Sequence, residues 1–213
     1  MNTFYNSHTN TIPTGEIAGT DWADMNGRAH FVQFYQDDET IINAVAGYFV
    51  HGLRFGEICI MVATHEHTQA IGDRMHEWDP SVGTALAENR LIILDAHETL
   101  GKFMVNGMPD PQLFEDVVGG LLEKVASSGR SLRAFGELVA ILAGEGNAAA
   151  AVELEVLWNK LAEEHHFRLF CAFPGRSLTG EDAATNAAAI CSSHSHILGS
   201  EAIPSFVSQM HSR

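Results

Sequence analysis

The residues that could do chemistry first appear at Asp37, Asp38 and Glu39, directly after the apolar run His30 to Tyr35. That run reads as a short buried strand entering a helix. In many open α/β proteins such a junction is a Gly-rich loop whose free N–H groups, reinforced by the helix dipole, hold a phosphate. Here it carries three carboxylates and no glycine, and no G-x-x-x-x-G-K-[ST] pattern occurs anywhere in the chain. A carboxylate about 4 Å from another anion costs about 4 kcal/mol at an effective dielectric of about 20, so nucleotide binding is disfavoured unless Mg²⁺ bridges the two. Acids at a helix start also gain about 0.3–1 kcal/mol each from the dipole, so the same residues serve equally as caps.

Other candidates divide in the same way. Glu137 follows a strand, where an acidic residue of an ATPase could sit, and it could equally be a hydrogen-bonding acid at a helix start. His65 could pair with Asp95 or Glu137 as an acid and base if a reactive substrate lay between them. His65-Glu66-His67 has two imidazoles, but alternate positions on a helix diverge by about 100° per residue, which does not bring them to one metal. Cys191, His194 and His196 have the spacing of half a zinc site without a second Cys pair to complete it. No Ser-His-Asp arrangement or G-x-S-x-G elbow is present. The residues therefore predict no catalytic set, no metal and no cofactor.

The elements that must position these groups alternate. Strands are predicted at His30 to Tyr35, Ile58 to Ala63, Leu91 to Leu94, Leu132 to Gly136 and Arg168 to Phe173. Helices are predicted from about Asp38 to Leu53, His65 to Glu77, Asp110 to Val125, Asn147 to His165 and Glu181 to Ser193, with shorter helical pieces near Leu86, residues 97 to 104 and Leu138 to Leu142. Alternation of this kind predicts an α/β fold, a three-layer, mostly parallel sheet of about five strands with helices on both faces. The ligand crevice of such a sheet lies beyond the carboxyl ends of its strands. That rule selects Phe34, Tyr35, Gln36, Asp37 and Asp38 after the first strand, and Thr64, His65 and Glu66 after the second. It adds Asp95 after the third, Phe135 and Glu137 at the fourth, and Phe173 at the fifth.

At 213 residues the chain fits one core. Residues 1–28, rich in Asn, Thr, Gly and Ser, read as a flexible arm, 29–197 as the single domain and 198–213 as a tail. With 12 basic against 27 acidic residues the formal net charge is −15, which repels a polyphosphate and argues against direct nucleic-acid binding. Three cysteines, two of them within apolar runs, fit a reduced, cytoplasmic protein. The first ten residues lack the blocks of a signal peptide, and no apolar run approaches the roughly 20 residues of a membrane span.

Several segments together carry a resemblance. They are the His30 to Tyr35 run with Asp37 and Asp38, the segment from Gly52 to Glu57, Leu94-Asp95-Ala96, and Arg133 to Glu137. The stretch Leu154 to Leu161 with Trp158, and Cys171 to Pro174, complete the set. In order and spacing they resemble the MEDS domain, a sensory domain named from methanogen and methylotroph regulators and a dichloromethane-responsive repressor. The resemblance runs from about residue 30 to 197. It implies a RecA/KaiC-like fold without a P-loop and a non-catalytic sensor of a small organic, hydrocarbon-derived ligand in bacterial or archaeal regulation. Family members often carry a helix-turn-helix or histidine-kinase module. With only an arm and a tail flanking the domain, a separate kinase or transcription-regulator protein is expected as partner, and a homodimer is compatible. A degenerate nucleotide binder or ATPase and a ligand-free interaction module are the alternatives.

Overall fold

The computed structural model describes residues 29–175 and 183–198, so the expected arm, most of the tail and the expected helix start at Glu181 lie outside the described residues. Strand β1 (His30–Tyr35) is buried along its whole length, as a strand covered on both faces requires. The Asp37 carboxylate accepts a hydrogen bond from the Thr40 amide and starts α1 (Asp38–Arg54). Gly56, at φ +74°, turns the chain into β2 (Ile58–Ala63), a conformation glycine adopts without a Cβ clash. Thr64 caps α2 (His65–Trp78), after which come α3 (Val82–Ala87) and β3 (Leu91–Asp95). Asp95 accepts from the Glu98 amide and caps α4 (Ala96–Phe103).

Between α4 and the next helix Asn106-Gly107 forms the loop of a small antiparallel hairpin, β4 (Met104–Val105) with β5 (Met108–Pro109). Both loop residues have positive φ, 52° and 81°, as a two-residue Asn-Gly turn demands. Asp110 accepts from the amides of Gln112 and Leu113 ahead of Pro111, an N-cap followed by proline at the first helical position. The helix it starts is not uniform: α5 (Pro111–Phe114) passes into a π-helical turn, Glu115–Gly119, and then α6 (Gly120–Ala126). The remaining elements are β6 (Leu132–Gly136), α7 (Leu138–Gly144), α8 (Ala148–Glu164), β7 (Arg168–Pro174), α9 (Ala183–Ser193) and β8 (His196–Leu198). Among the described residues no helix is long and apolar enough to cross a membrane.

The main sheet has the order β3-β2-β6-β7-β1-β8, and every neighbouring pair is parallel. The expected α/β layers are present, with a sixth strand, β8, at an edge where three residues give no readable alternation. Side-chain alternation divides the interior into two apolar cores. Phe31, Cys59, Met61, Phe135 and Phe170 face α1, α2 and α3. Val32, Phe34, Ile60, Val62, Ala134, Leu169 and Phe173 face α4 to α9. Connections that step toward β3 use the first face and those that step toward β8 use the second, which gives all crossovers one hand, as the right-handed rule requires.

Candidate functional site

Two neighbouring strand pairs, β2 with β6 and β7 with β1, send their following helices to opposite faces. At such reversals the loops part, and a crevice forms beyond the carboxyl ends. At the first reversal β2 leads through Thr64 into α2, and β6 leads through Glu137 into α7. Glu137 is buried, and its carboxylate accepts from the Thr64 amide at 2.8 Å through Oε2 and pairs with His67 Nδ1 through Oε1. The other ring nitrogen, His67 Nε2, lies 3.9 Å from Asp38 Oδ1. One imidazole thus links the starts of α1, α2 and α7. The hydrogen bond that His67 donates to Glu137 raises the His67 pKa above its ordinary value, against the opposing effect of partial burial. The line Asp38–His67–Glu137 can hold a proton and fix three helix starts, but it contains no nucleophile.

The sequence offers His65 as one conceivable acid-base partner of Asp95 or Glu137, and in the structure the histidine at Glu137 is His67. His65 and Glu66 are exposed, while His67 is the third helical residue after the Thr64 cap and its amide donates to Thr64 Oγ1. Side chains at that position reach back over the cap, which brings the His67 ring to Glu137. Asp95 is engaged with the Glu98 amide as a cap. Of the other expected crevice residues, Gln36, Asp37 and Asp38 are exposed on the rim and Thr64 is half-buried. Tyr35 is buried, and Phe34, Phe135 and Phe173 are fully enclosed in the cores. The rim is therefore acidic, and the aromatic residues form its floor.

Beneath this rim, on the α4–α8 side of the sheet, lies an apolar cavity of about 20 Å³. It is bounded by Val62 and Leu94 near the ends of β2 and β3, by Leu138 at the start of α7, by Trp158 on α8, and by Val117, Val118 and Leu121 around the π-helical turn. Thr99, also at its wall, donates its hydroxyl to the Asp95 carbonyl at 2.6 Å. A space of this size holds about one water, far below the roughly 300 Å³ of a drug-sized pocket. Its wall includes a π-turn, a form that recurs at functional sites because it interrupts the regular helical ladder.

A second polar cluster lies toward the amino end of β1, on the α8–α9 side of the sheet, between β1, β7, α8 and the end of α9. His30, Glu155, Cys171 and His194 are all buried there, with one donor atom from each within 4.8 Å of the others. The sequence reading places Cys171 among apolar residues and sets His194 beside Cys191. Their convergence is long-range, His30 and Cys171 being 141 positions apart, and no local spacing records it. Besides the half-site spacing that includes His194, the sequence signals are polar residues in otherwise apolar settings: His30 opening a buried strand, and Glu155 on the apolar stripe of α8.

Residues 29–194 match the family model MEDS, described as methanogen/methylotroph, DcmR sensory domain. No curated protein matches the chain.

Proposed function

Because the chain belongs to the MEDS family of sensory domains, we propose that it is a non-catalytic sensor whose ligand is a small organic molecule of a few heavy atoms and whose output passes to a separate regulator protein. The observation that carries this reading is the apolar cavity at the carboxyl ends of β2, β3 and β6, walled by a π-helical turn. A ligand there enters between the sheet and the segment Val117 to Leu121, and room for it comes from shifting the π-turn toward regular α-helix, a local change of hydrogen-bond register. The Asp38–His67–Glu137 line above the cavity ties three helix starts together, so movement at the cavity wall alters the acidic rim that a partner would meet.

The first turn supports a ligand other than a nucleotide. The Thr40 amide, one of the free donors a phosphate would use, is already taken by Asp37 at 2.9 Å, and Asp38 and Glu39 add negative charge beside it.

Thermal denaturation with small apolar and halogenated organics and their oxidised derivatives tests this reading. A true ligand at a hundredfold excess over Kd stabilises by about 2.7 kcal/mol, or about 5–10 °C for a chain of this size. Val117→Phe, which fills the cavity wall, is expected to remove that shift while leaving the fold intact. Absence of any shift or heat of binding across such compounds would overturn the proposal. Stabilisation by millimolar ATP·Mg²⁺, lost in Asp37→Ala, would favour a nucleotide binder instead.

A further inference from the structure

We propose that His30, Glu155, Cys171 and His194 form a closed four-ligand site for a first-row divalent transition cation of the zinc type. The argument begins with the tautomers. Asn159 Nδ2 donates to the Ser193 carbonyl at 3.1 Å, which leaves Asn159 Oδ1, 2.9 Å from His30 Nδ1, as an acceptor. His30 therefore carries its proton on Nδ1. His194 Nδ1 lies 2.6 Å from the Ile190 carbonyl, which can only accept, so His194 also carries its proton on Nδ1. Both Nε2 lone pairs then face the cluster. Imidazoles held through Nδ1–H by a carbonyl or amide oxygen are the usual outer arrangement of metal-bound histidines.

Three donor separations have the required size, and one donor atom from each residue lies within 4.8 Å of the others. His30 Nε2 is 3.3 Å from Cys171 Sγ and 3.5 Å from Glu155 Oε2, and His194 Nε2 is 3.6 Å from Glu155 Oε1. Bonds of about 2.0–2.3 Å in a tetrahedron give donor separations of about 3.3–3.8 Å. The same distances are too long for a hydrogen bond between the Glu155 carboxyl and either ring. Both Glu155 oxygens and His194 Nε2 lack a hydrogen-bond partner among the described residues, although Glu155 is only 1% exposed. A buried carboxylate facing two lone pairs and a thiol is left unsatisfied by protein groups alone, whereas a cation at the centre satisfies all four.

With Nδ1 protonated and Nε2 free, each ring presents the lone pair through which a neutral imidazole binds a metal. A thiolate and two imidazoles select against Mg²⁺ and Ca²⁺ and suit Zn²⁺, Co²⁺ or Fe²⁺. Four protein ligands leave no open position, so the site is structural or regulatory rather than catalytic. It fastens β1, β7 and α8 to the segment joining α9 and β8, where Ser195 donates through its amide and hydroxyl to the His30 carbonyl, both at 2.7 Å. Metal loading thereby controls how firmly the α9–β8 segment is held to the sheet edge, independently of the apolar cavity.

The test uses the full chain, stripped with a chelator under reducing conditions and titrated with Co²⁺. One equivalent is expected to give the intense ligand-field bands of tetrahedral Co²⁺ together with a thiolate charge-transfer band, both abolished by one equivalent of Zn²⁺. Cys171→Ser should remove the charge-transfer band, and Glu155→Gln, nearly isosteric, should weaken binding by at least about tenfold. Asn159→Ala, acting through His30, should weaken it about 10–100-fold, and Cys191→Ser should change nothing. Where a variant does not fold, X-ray absorption on the Zn²⁺-loaded wild type decides: one sulphur and two imidazoles support the site. A shell without sulphur overturns it, as does the absence of stoichiometric binding, binding indifferent to Glu155→Gln, or binding lost in Cys191→Ser.

Discussion

Replacing Gly52 with alanine and replacing Gly72 with alanine are the same chemical change in two helices, and the structure predicts opposite signs. In an open helical site alanine is favoured over glycine by about 0.5–1 kcal/mol. Gly72 in α2 is such a site, since an added Cβ meets nothing within 4 Å. At Gly52 in α1 the Cβ would lie 2.7 Å from Arg133 Cδ, 2.8 Å from its Nε and 3.0 Å from Glu57 Oε2. Carbon pairs rest at about 3.5–4.0 Å, so Arg133 must retreat by about 0.8 Å or more. It has little freedom to do so. The side chain is 1% exposed, its Nε pairs with Glu57, Nη1 donates to the Tyr48 carbonyl at 3.2 Å, and the guanidinium lies 4.9 Å from the Tyr48 ring centre. Glu57 in turn holds Arg168. Overpacking costs about 1–3 kcal/mol, and losing one partner of a buried ion pair costs about 3–5 kcal/mol. Allowing for the gain in helix propensity and for partial relaxation, Gly52→Ala should destabilise by about 2 kcal/mol and lower Tm by about 4–8 °C, while Gly72→Ala raises it slightly. Equilibrium urea unfolding of both variants at unchanged m-value measures the difference directly. A Gly52→Ala protein as stable as Gly72→Ala would refute the packing of Arg133 against α1. In an Arg133→Met background, itself destabilised by loss of the Glu57 pair, Gly52→Ala should cost markedly less than in the wild type, a coupling expected only of residues in contact.

Three further outcomes follow from the rim and the cores. The raised pKa of His67, caused chiefly by the Glu137 hydrogen bond, means its contribution is fully present below its ordinary value near 6.5 and is lost as pH rises through the higher folded value. The stability difference between wild type and Glu137→Gln, followed by urea titration across pH 5.5 to 8.5 (about the range in which a histidine titrates), should therefore be largest at the acid end; a difference that grows with pH would contradict the pairing. Asp37→Ala and Asp95→Ala each remove a helix cap and should cost about 1 kcal/mol in chemical denaturation without changing the response to organic ligands. A loss of that response with stability unchanged would make them ligand contacts instead. Cys59, fully buried with its thiol pushed well up by desolvation, should react with a thiol reagent only at the rate of global opening, and rapid modification of the native protein would show β2 to be less securely covered.

The layered α/β architecture was legible because it depends on local pattern. Apolar runs such as Ile58 to Ala63 are too short for helices, the stripe Phe114, Val117, Val118, Leu121 is too regular for a loop, and Asp110-Pro111 marks a helix start by chain geometry alone. The acidic first turn was legible for the same reason, since Asp37 caps the helix that follows it. The π-turn was not, because its stripe also fits a uniform α-helix, and the extra residue per turn is selected by packing against the sheet. The identity of the histidine at Glu137 depended on a helix start meeting a different strand end, across 70 positions of sequence. The His30–Glu155–Cys171–His194 cluster lay further beyond local pattern. Each member alone reads as an ordinary buried or helical residue, and only the parallel pairing of β1 with β7, with α8 and α9 laid across them, brings one donor atom from each to a common centre. Sequence thus determined the elements and the sign of the charge at the crevice, because those follow from neighbours in the chain. The tertiary structure decided which polar groups face one another in the interior, because strand order and helix placement are settled by the burial of both sheet faces at once.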